Sequence, residues 1–287
     1  MIAERHITVA VLLALLLIPL WALWVDEPFT ITLVTRVVIL ALAAVGLNIA
    51  LGIGGMVSLG HAVFFGVGGY AMGILAYHAQ TYTPLELGPF SFAGTQSMPL
   101  IWLVATLASA LAALLIGLLV QRTTGIYFIM VTLAFGQMFF YFAISWNAYG
   151  GEDGLSIYMR NGFPGLNTMD PIQFFGICFI LLLLALILYS RLRLSPFGLA
   201  LNAARQVSQR VETVGLDPMR IKLVAYVISG AITGLAGALF ADLNRFVSPS
   251  MLSWQLSGEL IVLIIIGGAG RLMGPVIGAA LFVALEH

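Results

Sequence analysis

The chain has 287 residues, 61% of them hydrophobic and 8% charged, with twelve basic and twelve acidic side chains. Soluble domains carry roughly 25% charged residues, so the composition excludes a water-soluble globular fold and makes lipid the solvent. The single cysteine, Cys178, sits inside an apolar run, which excludes an internal disulfide and any cysteine-cluster metal site.

A spanning helix needs about 20 predominantly apolar residues. Such stretches lie at 7–24, 31–51, 61–79, 100–120, 125–146, 172–190 and 223–241. Two more, 257–267 and 274–285, are short, and Gly267, Gly268, Gly270, Arg271, Gly274 and Pro275 separate them; they form an eighth and a ninth helix or one broken element. The pattern predicts an all-α polytopic membrane protein with about 8–9 transmembrane helices in a single transmembrane domain over residues 1–287. The first segment follows Arg5 as a signal peptide would. Trp21, Trp24, Asp26 and Glu27 stand where a small-residue cleavage site belongs, so a retained span with interfacial tryptophans is expected. Leu285, Glu286 and His287 close the chain inside an apolar run, which reads as a missing native C-terminal segment or the start of a vector tag.

Alternating the spans puts Arg5, Arg122, Arg191, Arg193, Arg205, Arg210, Arg220, Lys222 and Arg271 on one side. The other side collects Arg36, Arg160 and Arg245 with the acids Asp26, Glu27, Glu86, Glu152, Asp153, Asp170 and Asp242. Nine basic residues against three predict a cytoplasmic N-terminus. Arg36 lies about 9 Å deep at 1.5 Å per residue, within reach of the interface by snorkelling.

Glycine punctuates the spans. Gly69 with Gly73, Gly230 with Gly234 and Ala238, and Gly274 with Gly278 have the spacing of close helix packing. The run from Gly52 through Gly54, Gly55 and Gly60 to His61 is too glycine-rich for a plain helix and predicts a broken or re-entrant segment. With 267–275 it makes a pair of interruptions of the kind that point to a transporter's route. The polar side chains beside these breaks, Asn48, Ser58, His61, Thr132 and Gln137, are candidates to line it, or else are buried groups bonded to neighbouring helices. The loop Tyr149 to Ser156, with Glu152 and Asp153 among turn glycines, lies on the face where a delivery protein would dock, or is a solvated turn.

Residues 191–222 are the long polar segment of the basic side and hold six of the twelve basic residues. Ser195-Pro196 signals a helix start, and Gly215 followed by Pro218 signals a stop, leaving room for a helix of about 19 residues. Leu201, Ala204, Val207, Val211 and Val214 recur at three- and four-residue spacing, with Arg205, Ser208, Gln209 and Glu212 opposite. That amphipathic face either lies on lipid or docks on a protein, and its small and β-branched residues favour a protein. Asp217-Pro218 reads as the cap and first residue of the next span.

Several chemistries are missing. A P-loop needs a lysine in G-x-x-x-x-G-K-[ST], and the one lysine, Lys222, lies between Ile221 and Leu223, so ATP hydrolysis must come from a partner. His6, His61, His78 and His287 form no H-E-x-x-H pair, so no metal, cofactor or catalytic residue is assigned. The acids lie in loops or at span ends, so no ion-coupling site is visible.

Five stretches carry a family resemblance: Leu47-Asn48 through Gly60-His61-Ala62, Gly125 to Phe128, Gly150 to Leu155, Gly198-Leu199-Ala200-Leu201 through Ser229-Gly230, and Gly267-Gly268 to Gly274-Pro275. In them the chain resembles permease subunits of branched-chain amino acid ABC importers of the LivM-like type. The resemblance implies a multi-pass protein of the bacterial inner membrane that forms half of a pathway. Its implied partners are a second homologous permease, two cytoplasmic ABC ATPases and a periplasmic substrate-binding protein, with no cofactor and no nucleic acid. It makes 201–215 the ATPase coupling helix, assigning Leu201, Ala204, Arg205, Val207, Arg210, Val211, Glu212, Val214 and Gly215 to that contact. Relatives commonly carry acids in the middle of this segment, where this chain reads Arg205-Gln206-Val207-Ser208-Gln209-Arg210. A urea or other small-solute permease of the same family, and a stand-alone facilitator or channel, are the alternatives.

Overall fold

The computed structural model describes residues 2–25, 27–87 and 90–286, with backbone alone for 2–5, 7, 9, 85–87 and 90–92. Asp26 and His287, and the side chains of Arg5 and Glu86, therefore lie outside what the structure describes. The described chain forms α1 (Ile2–Val25), α2 (Pro28–Asn48), α3 (Ala62–Thr81), α4 (Met98–Val120), α5 (Ile126–Ser145) and α6 (Pro171–Leu194). It continues through α7 (Pro196–Gln206), α8 (Ser208–Thr213), α9 (Pro218–Asn244), α10 (Trp254–Gly267) and α11 (Gly274–Glu286). Two short antiparallel ladders join loop segments, β1 (Leu85–Leu87) with β2 (Phe90–Phe92) and β3 (Leu155–Ser156) with β4 (Phe246–Val247).

Among the described residues six helices, α2 to α6 and α9, are long and apolar enough to cross a membrane, while Ala10–Val25, α10 and α11 are shorter apolar helices. The fold is an all-α polytopic membrane protein, as the apolar pattern predicts. The interruption at 267–274 separates two helices rather than bending one.

Helix starts are written locally. Asp170 accepts from Ile172 N–H, Ser195 from Gly198 N–H and Asp217 from Met219 N–H, each just ahead of a proline in the first turn.

The bundle is layered around α2, whose apolar window is 89% buried, whereas that of α5 is 22% buried. α3 and α9 pack on each other through glycine: a Cβ on Gly237 would strike the Phe65 carbonyl, and one on Gly68 would strike the Gly234 carbonyl. Gly278 meets the Leu263 carbonyl in the same way and joins α11 to α10. Side chains at these positions would separate the backbones and forfeit the dispersion contacts that hold helices together where no hydrophobic effect operates. The outer face of α4 is a leucine surface, with Leu103, Leu107, Leu111, Leu115 and Leu119 exposed, as suits contact with lipid.

Two features of the charged residues go beyond the sequence-based expectation. Arg36 does not snorkel alone: α11 packs on α2 and brings Glu286 level with it, and its Nη2 donates to Glu286 Oε1 at 3.0 Å. Asp242 stands at the end of α9, where the sequence puts it, yet is only 2% exposed there, accepting from the backbone and side-chain nitrogens of Asn161. Arg160 closes this knot by donating to the Asp242, Leu243 and Thr168 carbonyls, with its guanidinium 4.3 Å above the Phe174 ring. Burial pushes the Arg160 pKa down, and the Asp242 carboxylate opposes that shift.

Candidate coupling and transport site

The glycine-rich run after α2 is broken as its composition predicts. The last turn of α2 widens into a π-helical turn over Ile49–Ile53, then Gly55 takes a φ of +69° and the chain runs without helix until Ala62. Asn48, fully buried, bridges this break to the other one: its Nδ2 donates to the Arg271 carbonyl at 3.1 Å, and its Oδ1 accepts from Gly270 N–H at 2.9 Å. Gly52 is necessarily glycine, because a Cβ there would stand 2.7 Å from Gly270 N. The two interruptions thus form one contact at the end of the bundle that carries α7.

The other polar candidates are held by the bundle itself. Ser58 Oγ lies 3.2 Å from Tyr226 Oη, and Thr132 Oγ1 donates to its own Ile129 carbonyl. His61 Nε2 lies 2.7 Å from Ser229 Oγ, which donates to the Gly46 carbonyl at 2.6 Å. The serine hydrogen being committed to Gly46, the imidazole must donate from Nε2, which fixes its tautomer if neutral. Edge-on rings of Phe64 and Tyr226, 5.0 and 5.5 Å away, complete the cage. Asn48, Ser58, His61 and Thr132 are therefore all buried but separately partnered, Ser58 and His61 on α9, Asn48 on the second break and Thr132 within α5, while Gln137 lies half-buried on α5. Tyr226 and Ser229, the partners on α9, were not singled out from sequence. Their three-residue spacing on one helix face is the signal that would have found them.

The segment expected to be one helix of about 19 residues is two. α7 ends at Gln206, Val207 is extended (φ −147°, ψ 93°), and α8 runs for six residues before Gly215 ends it at φ +84°. The break has a packing cause. Leu201 and Ala204 are buried, with Leu201 Cδ1 against Gly54, and Arg205 Nη1 donates to the Gly52 carbonyl at 2.7 Å, so α7 is fastened to the bundle. Ser208 Oγ takes over the Ala204 carbonyl at 2.9 Å, and α8 folds away at the β-branched Val207.

The fold-back divides the expected apolar stripe. Leu201 and Ala204 face the protein, while Val207, Val211 and Val214 join Leu199, Ala203 and Leu216 in lining a groove of about 590 Å³. Val214 is 78% exposed and Val207 39%, whereas Val211 is 5% exposed. Arg210 lines the rim, Glu212 is exposed, and Arg205 points away from the groove into the bundle.

A sequence model of the family described as branched-chain amino acid transport system / permease component matches residues 29–287. The chain belongs to this family of transport permeases. It is 29% identical to the high-affinity branched-chain amino acid transport system permease protein LivM of Salmonella typhimurium, over 95% of this chain and 66% of that one. LivM of Escherichia coli is 28% identical over 94% of this chain and 67% of its own. The probable branched-chain amino acid transport permease protein LivH of Methanocaldococcus jannaschii is 26% identical over 75% and 67%. The chain spans about two thirds of the length of these curated relatives. No solved structure matches it. Family membership makes this chain a permease component of a transport system and not an enzyme, and it accounts for the membrane-length helices.

Proposed function

We propose that the chain is the transmembrane permease subunit of a binding-protein-dependent ABC importer for branched-chain, hydrophobic amino acids in a bacterial inner membrane. It forms half of the translocation pathway with a second, homologous permease and couples to two cytoplasmic ATPases, while a periplasmic protein delivers the solute. The observation that carries this reading is the α7–α8 groove: an apolar concavity, rimmed by Arg210, in a segment holding six of the twelve basic residues. The excess of arginine and lysine at this end supports a cytoplasmic location. An apolar groove between two short helices in water has little reason to persist unless a partner covers it.

The amino-acid preference rests on the names of the relatives. The test is gentle extraction from the native membrane, mass spectrometry of what co-purifies, and uptake of leucine, isoleucine, valine and urea by the reconstituted complex. Two ATPases, a second permease and uptake of the three amino acids are expected. Solute flux through the chain alone would instead establish a facilitator, and uptake of urea alone would move the substrate class.

A further inference from the structure

The geometry points to Arg205 as the positioning residue that transmits movement of the ATPase-docking helices to the glycine-rich break, by holding the Gly52 carbonyl. This deepens the proposed importer reading and rests on it.

A helix that stops inside a membrane protein leaves carbonyls without donors, and each must find one within the protein. After the π-helical turn the backbone leaves helical geometry, and the donor found by the Gly52 carbonyl is Arg205 Nη1 at 2.7 Å, 153 residues away on α7. The arginine stem lies flat on the break: a Cβ on Gly55 would stand 2.7 Å from Arg205 Cγ and 2.9 Å from its Cδ. Gly55 thus serves twice, by adopting φ +69° and by leaving room for the stem. On its far side the same π turn touches the second break, through Gly52 against Gly270 and Asn48 bonded to Gly270 and Arg271.

The order of contacts is therefore groove, α7, Arg205, first break, Asn48, second break. Arg205 lies on the side of α7 away from the groove, so a partner seated on Val207 and Val214 would move α7 and carry Arg205 with it. The polar part of this packed contact is a single charge-assisted hydrogen bond, which can break and reform as α7 shifts. The half-open cavity of about 340 Å³ beside it, bounded by Gly54, Gly55, Gln121, Thr124, Arg205 and Lys222, gives the arginine space to move.

The test uses the whole importer in proteoliposomes with Arg205→Ala and Arg205→Lys, and reads solute moved per ATP hydrolysed. In parallel, hydrogen exchange is followed at Gly54, Gly55 and Met56, whose N–H groups are bonded to Ile49, Leu51 and Ala50 carbonyls. Arg205→Ala is expected to speed exchange at these amides and to lower the transport ratio, each by about tenfold or more, the scale of one charged hydrogen bond. Arg205→Lys, which keeps a donor of similar reach, should restore at least half of the ratio. An unchanged ratio in Arg205→Ala, in a complex whose wild type is coupled, overturns the linkage alone. So does unchanged exchange, and so does a lysine variant no better than alanine. A wild-type chain that binds no ATPase overturns the linkage together with the reading beneath it.

Discussion

Val214→Asp is the sharpest test of the groove. Val214 is 78% exposed at the groove, so nothing in the chain itself depends on its side chain, and folding stability should move by no more than about 0.5 kcal/mol. A partner that covers the groove would remove most of the valine surface from water, worth roughly 1–2 kcal/mol from the area rule. An aspartate forfeits that gain and adds the cost of covering a carboxylate, so binding should weaken by about 1.4 kcal/mol at the least, or tenfold. The assay is titration of the detergent-purified ATPase against the permease in nanodiscs, with thermal unfolding of the permease alone as the control for folding. Unchanged ATPase affinity with normal uptake would refute the docking assignment. Val211, although it lines the same groove, is 5% exposed; an aspartate there would confuse loss of docking with loss of folding.

Other substitutions probe the supporting structure. Ser229→Ala leaves His61 Nε2–H without its acceptor while the Gly46 carbonyl keeps the Ile49 N–H. It should cost about 1–3 kcal/mol in a denaturant titration of the purified chain, with a coupling energy to His61→Ala above the ~0.6 kcal/mol typical of membrane hydrogen bonds. Coupling near zero would mean the pair is not bonded. Gly237→Leu drives a side chain into the Phe65 carbonyl and should cost at least the ~1–3 kcal/mol of overpacking, read as loss of monodisperse protein in gel filtration; normal yield would count against the α3–α9 contact. Asn48→Ala should detach the Gly267–Gly274 turn from the π turn and raise protease sensitivity in the turn by about tenfold, the worth of one to two hydrogen bonds. Arg160→Ala removes three donations to backbone carbonyls and the stacking on Phe174. It should destabilise by about 2–4 kcal/mol, seen as earlier proteolysis of the loop 156–170.

The features legible in the sequence are those whose physics is local. Twenty apolar residues in a row need no knowledge of neighbours to be a spanning helix, because an unbonded backbone is intolerable in lipid. Ser195-Pro196 and Asp217-Pro218 announce helix starts because the cap and the helix lie within three residues of each other. The glycine run after Asn48 likewise announces a break, since helix propensity falls residue by residue. What the break touches is another matter. Asn48 reaches Gly270 across 222 residues and His61 reaches Ser229 across 168, and no spacing in the chain encodes such pairs.

The same division explains the segment 191–222. Its amphipathic face is a property of sequence, and so is its dense positive charge. That it is two helices rather than one was decided only by tertiary structure: burying Leu201 and Ala204 and seating Arg205 on Gly52 fastens α7 to the bundle, and α8 turns away at Val207. Periodicity reports which residues prefer to be covered. Which of them the chain covers by itself, and which it leaves open in a groove, depends on where the glycine-rich break brings the backbone, and that position exists only once α2, α3 and α9 have packed.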